Sequence, residues 1–235
     1  MSHPPKQLSG KLAGLSLRQQ VMVLSVWPLL EQVMNLAVGT VDLALAGRLT
    51  PENQAVAAVD ALGVATFINW LLMIILGSVG VGASAIIARA IGGQHRSLAN
   101  SALGQALILA FGLGLIVGGG LFLSADGLGW LVNLQDQAFI FSGDYLRIVS
   151  FAVPASAILF VGTAALRAAG DTRNPFVVMV IINTINIIVS SLLVYGPAPI
   201  GGHGVKGIAW GTVSAWCLGS VLVWRMLLKS RAGFR

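Results

Sequence analysis

The sequence predicts an all-α integral membrane protein, a bundle of six transmembrane helices. Three observations predict it. Hydrophobic residues make up 56% of the 235-residue chain and charged residues only 9%, against about 25% charged in an ordinary soluble domain. Apolar stretches recur that outreach a hydrocarbon core of ~30 Å at ~1.5 Å of helical rise per residue. Glycine is abundant, at 29 residues, which fits helices that pack closely in lipid.

Residues 1–20 are polar and basic, without the short apolar core and small-residue cleavage site of a signal peptide, and read as a cytoplasmic amino tail. The bundle is expected over 21–228. Its first helix, 21–47, holds Pro28, which removes a backbone hydrogen bond and predicts a kink. The second stretch, 54–90, is too long for one perpendicular span. Cutting it at Gly80–Gly82 leaves a piece too short to cross, so one tilted or protruding helix is expected. The third helix covers 98–123. Its strip Ala110, Gly114, Gly118, like Gly80, Ser84, Ala88 on the second, places small residues one turn apart, as close helix packing requires. A fourth helix is expected over 145–167 with a kink at Pro154, a fifth over 175–196 and a sixth over 206–228, leaving 229–235 as a tail or the start of a linker.

Charge sets the orientation. Lys6, Lys11 and Arg18, the loop arginines 89, 96, 167 and 173, and Arg225, Lys229, Arg231 and Arg235 fall on one side; only Arg48, Arg147 and Lys206 fall on the other, with most of the acids. The positive-inside rule then puts both termini in the cytoplasm and the bundle in the plasma (inner) membrane. The net charge of +6 is scattered over short loops rather than gathered in a stripe, which excludes nucleic acid as a partner. The single cysteine, Cys217, lies in an apolar run and makes no intrachain disulfide. His3, His95 and His203 have no metal-ligand spacing, no phosphate-binding loop is present, and no protease signature occurs, so no enzyme and no cofactor are expected.

The informative residues are polar ones inside the spans. Asp42 lies within the first span, where a carboxylate costs roughly 2.5–3.5 kcal/mol on insertion scales. Such a residue faces a wet cavity or a partner. Glu31, Asn35 and Asp42 follow spacings of 4 and 7, one helix face, and make a polar line of about 16 Å suited to cation or proton coupling. Asn183, Asn186 and Ser190 share a face of the fifth helix and are candidates to line a substrate or cation path, with Thr212 of the sixth helix and, more weakly, Gln105 of the third. Buried helix–helix hydrogen bonding is the competing explanation for each of these amides and hydroxyls.

Several segments in order resemble one family. Residues 166–175, LRAAGDTRNP, closely resemble the LRGxGDTRxP loop of multidrug and toxic compound extrusion (MATE) transporters. GASAIIARAIG at 82–92, TVDLALAGRL at 40–49, YLRI at 145–148 and GVKGIAWGT at 204–212 are similar to further motifs of that family, and the DinF-like branch is the most similar. The resemblance implies two six-helix bundles related by a pseudo-twofold axis, of which this chain supplies the amino-terminal one. The second bundle is then a missing downstream half or another chain. It also implies a cation-sensitive acid on helix 1, at Asp42. One position departs: where the family's helix 5 has Asn, three residues, then Asp, this chain has Asn186 and Ser190. The second acid is absent, which leaves H⁺ and Na⁺ both open as coupling ion.

The resemblance implies a cation-coupled antiporter that exports small organic, often cationic, compounds by alternating access. Hydrogen bonds from Asn186 or Ser190 to Asp42 are expected to tune its charge, and neutralisation of Asp42 to let helix 1 repack around Pro28. Two alternatives stand beside it. A lipid-linked precursor flippase of the same superfamily needs cationic residues in the cavity, and the spans are expected to hold only acids and amides. A non-transporting truncated subunit needs no titrating Asp42.

Overall fold

The computed structural model describes residues 14–197 and 199–229. Among the described residues the chain is wholly helical: α1 Leu17–Ala46, α2 Glu52–Gly92, α3 Arg96–Leu131, α4 Asp136–Ser150, α5 Val153–Ala168, α6 Arg173–Tyr195 and α7 Gly204–Lys229. Five of these are long and apolar enough to span a membrane, and the bent pair α4–α5 makes a sixth. The chain is an integral membrane protein. The amino tail expected over 1–20 and the carboxyl tail lie largely outside the described residues.

The fourth span differs from the single helix expected over 145–167. It is two helices that meet at a 58° bend. Pro154 does not kink a continuous helix; it sits in the first turn of α5, where no intrahelical hydrogen bond of α5 needs its amide. The span also starts earlier, at Asp136. Its charges make 136–147 look like loop, yet two of the three ions there, Asp144 and Arg147, find partners on other helices. Arg147 pairs with Asp126 of α3, and Lys206 of α7 reaches Asp144 at 3.2 Å. Asp126 itself lies in a helix that runs on to Leu131, beyond the expected end at 123.

Short connections follow from how the helices end. After α2, α3 and α5 the chain turns through a residue with positive φ: Gln94, Asn133 and Gly170. In each case the next amide closes back on the last turn, as His95 N donates to Ala90 O at 2.8 Å, Leu134 N to Gly129 O at 2.9 Å and Asp171 N to Leu166 O at 2.9 Å. This is the Schellman closure. It explains the 166–175 segment residue by residue. Gly170 adopts φ +86°; Asp171 Oδ1 accepts from Asn174 N at 3.1 Å, covering an amide at the start of α6; Pro175 occupies the first turn, where no amide is needed.

The core is built from Ala, Val, Leu and Ile of α2, α3, α5, α6 and α7. Small residues set the spacing. Gly114 and Gly118 of α3 lie directly on the α4–α5 junction: a methyl on Gly114 would sit 2.7 Å from Pro154 Cα, and one on Gly118 2.7 Å from the Ser150 carbonyl oxygen. On α2, Gly80 faces Ala164, and Ser84 Oγ donates to Gly80 O at 2.7 Å while lying 3.2 Å from Ala164 O. α1 is the peripheral helix. It runs parallel to α6, held by Trp27 against Phe176 (ring centroids 5.2 Å apart) and by Tyr195 Oη donating to Leu45 O at 2.7 Å. Much of its remaining surface is exposed Leu, Val and Met.

Candidate functional site

Two adjoining cavities lie between α1, α2, α5 and α6, the first of them walled also by α4 and α7. The first, about 250 Å³, is bordered by Asp42, Asn69, Tyr145, Asn183, Asn186 and Thr212 among others. The second, about 920 Å³, opens toward the start of α1 and is bordered by Pro28, Glu31, Gln32, Ser84 and Arg167. Asn35, Met73, Leu159, Phe160 and Met179 border both. The polar line expected along helix 1 is therefore divided: Asp42 serves the first cavity, Glu31 the second, and Asn35 stands at the junction.

Asp42 is buried, with 9% of its surface exposed, and its Oδ1 has no hydrogen-bond partner among the described residues. The bonds expected from Asn186 or Ser190 are not formed. Asn186 Nδ2 instead donates to Thr212 Oγ1 at 3.3 Å, and Thr212 Oγ1 leans on the Ile208 carbonyl at 3.3 Å. Tyr145 Oη stands 3.5 Å from the same Thr212 Oγ1, and Asn69 Nδ2 donates to Tyr145 Oη at 3.4 Å. A chain Asn69–Tyr145–Thr212–Asn186 thus walls the cavity opposite Asp42. Left over are the oxygens Asp42 Oδ1, Asn69 Oδ1 and Asn186 Oδ1 and the amide Asn183 Nδ2, all buried and unpaired. Unpaired buried polar atoms are few in native proteins. Three such oxygens belong to residues that border one small cavity, and oxygen is the ligand type that a hard cation or a proton takes.

Ser190 is placed elsewhere. It shares the Asn186 face of α6 but packs against Gly211 of α7, fully buried, and borders neither cavity. Gln105 bonds Ser101 of its own helix at 3.4 Å. Tyr145 and Asn69 are site residues that reasoning from the helix stripes misses. Asn69 had a signal, as the lone amide in the apolar middle of α2. Tyr145 had none beyond its place in a short motif.

Glu31 is not an open carboxylate. Arg167 Nη1 donates to both of its oxygens at 3.0 Å, joining α1 to the end of α5. Arg167 corrects one expectation. It lies in the last turn of α5, where the expected helix bound at 167 puts it, but it gives the larger cavity a cation where only acids and amides are expected. The small-residue strips pack as expected: Gly80, Gly114 and Gly118 lie in helix–helix contacts and border neither cavity, while Ser84 lies against α5 and also borders the larger one.

A bundle of lipid-facing helices around two largely apolar cavities with a few polar groups, one of them bordered by a buried acid, is the build of a membrane transporter. The MatE family profile matches residues 28–192, and the chain belongs to that family. It is 25% identical over 91% of its length to a protein of Thermotoga maritima called probable multidrug resistance protein NorM, covering 45% of that protein. It is 30% identical over 66% of its length to a FAD transporter of Shewanella oneidensis, covering 36% of it. Among solved structures, it superposes on a MATE crystal structure in a bent conformation with TM-score 0.82 at 21% identity, 92% of this chain on 46% of that one. A Pyrococcus furiosus transporter of the MOP superfamily, described as having a binding pocket of reversed polarity, gives TM-score 0.81 at 22% identity. The chain spans about half the length of the relatives it matches, so its fold is that of one six-helix bundle of a twelve-helix transporter.

Proposed function

We propose that this chain is one half of a cation-coupled antiporter that exports small organic, often cationic, compounds by alternating access, with H⁺ or Na⁺ exchanged at Asp42. A second six-helix bundle, on the same chain or another, completes it, and both termini face the cytoplasm. The observation that carries the reading is Asp42: a carboxylate within a membrane helix, buried, without a hydrogen-bond partner on Oδ1, and bordering the same cavity as Asn69 and Asn186.

Size divides the labour between the cavities. A water occupies about 30 Å³ of liquid, so the 250 Å³ cavity has room for about eight waters, the size of an ion with its hydration shell. The 920 Å³ cavity falls within the roughly 300–1,000 Å³ of small-molecule sites. The ion belongs to the first and the exported compound to the second. α1 borders both, so a cation that neutralises Asp42 acts on the wall of the substrate cavity through one helix, and Pro28 marks where that helix can bend. Rocking of the two bundles then exposes the cavities to alternate sides. A flippase for lipid-linked anions would need a net cationic cavity; Glu31 cancels Arg167 there.

The test is drug-driven proton and Na⁺ flux in proteoliposomes, for the chain alone and joined to a second bundle. Asp42→Asn should abolish coupled flux while the protein still inserts and folds. Normal coupled flux in that variant refutes the assignment.

A further inference from the structure

We propose that Arg167 is a resident counter-ion: an organic monocation with an apolar body enters the larger cavity, displaces the guanidinium from Glu31 and takes its place against that carboxylate. The proposal rests on the transport reading above and specifies how the substrate cavity recognises charge.

Three features lead to it. The charged groups bordering this cavity are Glu31 and Arg167, and they face each other with Nη1 3.0 Å from both carboxylate oxygens. The rest of the wall is mainly apolar, including Met73, Ile74, Val81 and Phe160, which suits the body of an amphipathic compound. The two partners are unequally held. The Glu31 side chain is 11% exposed and the Arg167 side chain 32%.

The asymmetry decides which partner leaves. An acid as enclosed as Glu31 is costly to strand without a cation. Arg167 sits in the last turn of α5, beside the turn at Gly170, and its long stem lets the head swing toward water while the stem stays on apolar surface. A ligand that brings its own positive charge therefore conserves the number of buried charges, exchanging one ion pair for another. An anion bound to Arg167 would instead leave Glu31 alone in the cavity. The same exchange has a mechanical result. The Glu31–Arg167 pair joins α1, otherwise fastened to α6 through Trp27 and Tyr195, to α5. Cation entry unties α1 from α5 only when the cavity is loaded.

Ethidium binding to the full 235-residue chain in lipid nanodiscs, followed by fluorescence without any ion gradient, tests this. Glu31→Gln should weaken binding by at least about tenfold. Arg167→Gln should tighten it by several-fold, because the competitor is gone; a structural or anion-binding arginine gives no change or a loss. If Arg167→Gln alone does not fold, the paired Glu31→Gln, Arg167→Gln variant, which strands no charge, serves instead. It should bind ethidium at least tenfold more weakly than wild type, and binding within twofold of wild type overturns the proposal. Absence of ethidium binding to the wild-type chain overturns it as well. Since no gradient is used, failure here with Asp42-dependent flux intact would remove the counter-ion role and leave the coupling site standing.

Discussion

Gly118→Ala should destabilise the bundle measurably, and Gly112→Ala on the same helix should not. A methyl at 118 arrives 2.7 Å from the Ser150 carbonyl oxygen and 3.3 Å from Val153 Cβ. Comfortable C···O and C···C contacts begin near 3.3 and 3.5 Å. The helices must separate by about 0.6 Å, and the group in the way is main chain, which has no rotamer to escape into. Overpacking of this kind costs typically about 1–3 kcal/mol. For a chain of this size each kcal/mol lowers the melting temperature by about 2–4 °C, so a fall of roughly 2–12 °C is expected. Gly114→Ala, whose methyl meets Pro154 Cα at 2.7 Å, should cost a similar amount. The double variant should fall short of the sum, because one separation of α3 from the α4–α5 junction relieves both clashes. Nothing lies within 4 Å of a methyl at 112, so that variant should stay within about 0.5 kcal/mol of wild type. Thermal unfolding of the wild type and the four variants in a single detergent, followed by tryptophan fluorescence, makes the comparison. Equal melting of Gly118→Ala and wild type, or an equal loss in Gly112→Ala, would refute the assignment of this strip to the helix seam.

Other substitutions probe the site. Asp42→Asn should hold or raise the melting temperature while removing coupled flux, since a neutral amide of the same shape no longer asks the bundle to bury a carboxylate; a clear loss of stability would mean that the acid serves the fold. Ser190→Asp should lower the yield of folded protein rather than supply the missing helix-5 acid, because the side chain points at Gly211 and not into the cavity; a folded variant with altered ion dependence would contradict that placement. Tyr145→Phe removes the hydroxyl between Asn69 and Thr212 and should cost about 1 kcal/mol, read by the same unfolding measurement. Tyr195→Phe removes the bond to Leu45 O and should loosen the end of α1, seen as faster amide exchange there than at the Trp27 end.

The helices were legible where one physical scale governs them. Hydrocarbon thickness and hydropathy are enough to locate α1, α2, α3, α6 and α7. They fail at 136–144, because Asp136 and Asp144 lower the local hydropathy while the chain neutralises such charges across helices, as in Arg147–Asp126 and Lys206–Asp144. Periodicity places Asp42 with Asn35 and Asn183 with Asn186 on common faces, and these do meet at one cavity. It cannot say which neighbour a face meets. Ser190 keeps the register of Asn186 yet turns to α7, because Gly211 opposite leaves room for it. Glu31 has the same spacing as Asn35 and Asp42, but its partner, Arg167, is far off in sequence. Pairings of that kind are a property of tertiary packing and carry no local signature.

The bend between α4 and α5 has a consequence for which sequences this fold admits. Pro154 has no amide hydrogen to return to the Ser150 carbonyl, and a carbonyl set free in hydrocarbon is a liability. That oxygen lies against the bare Cα of Gly118. Proline and glycine, on different helices, are thus halves of one requirement: the first releases the carbonyl, the second leaves it a berth. Neither residue is free to drift alone. A change at either site opens a tolerance at the other, so the two positions should vary together or not at all.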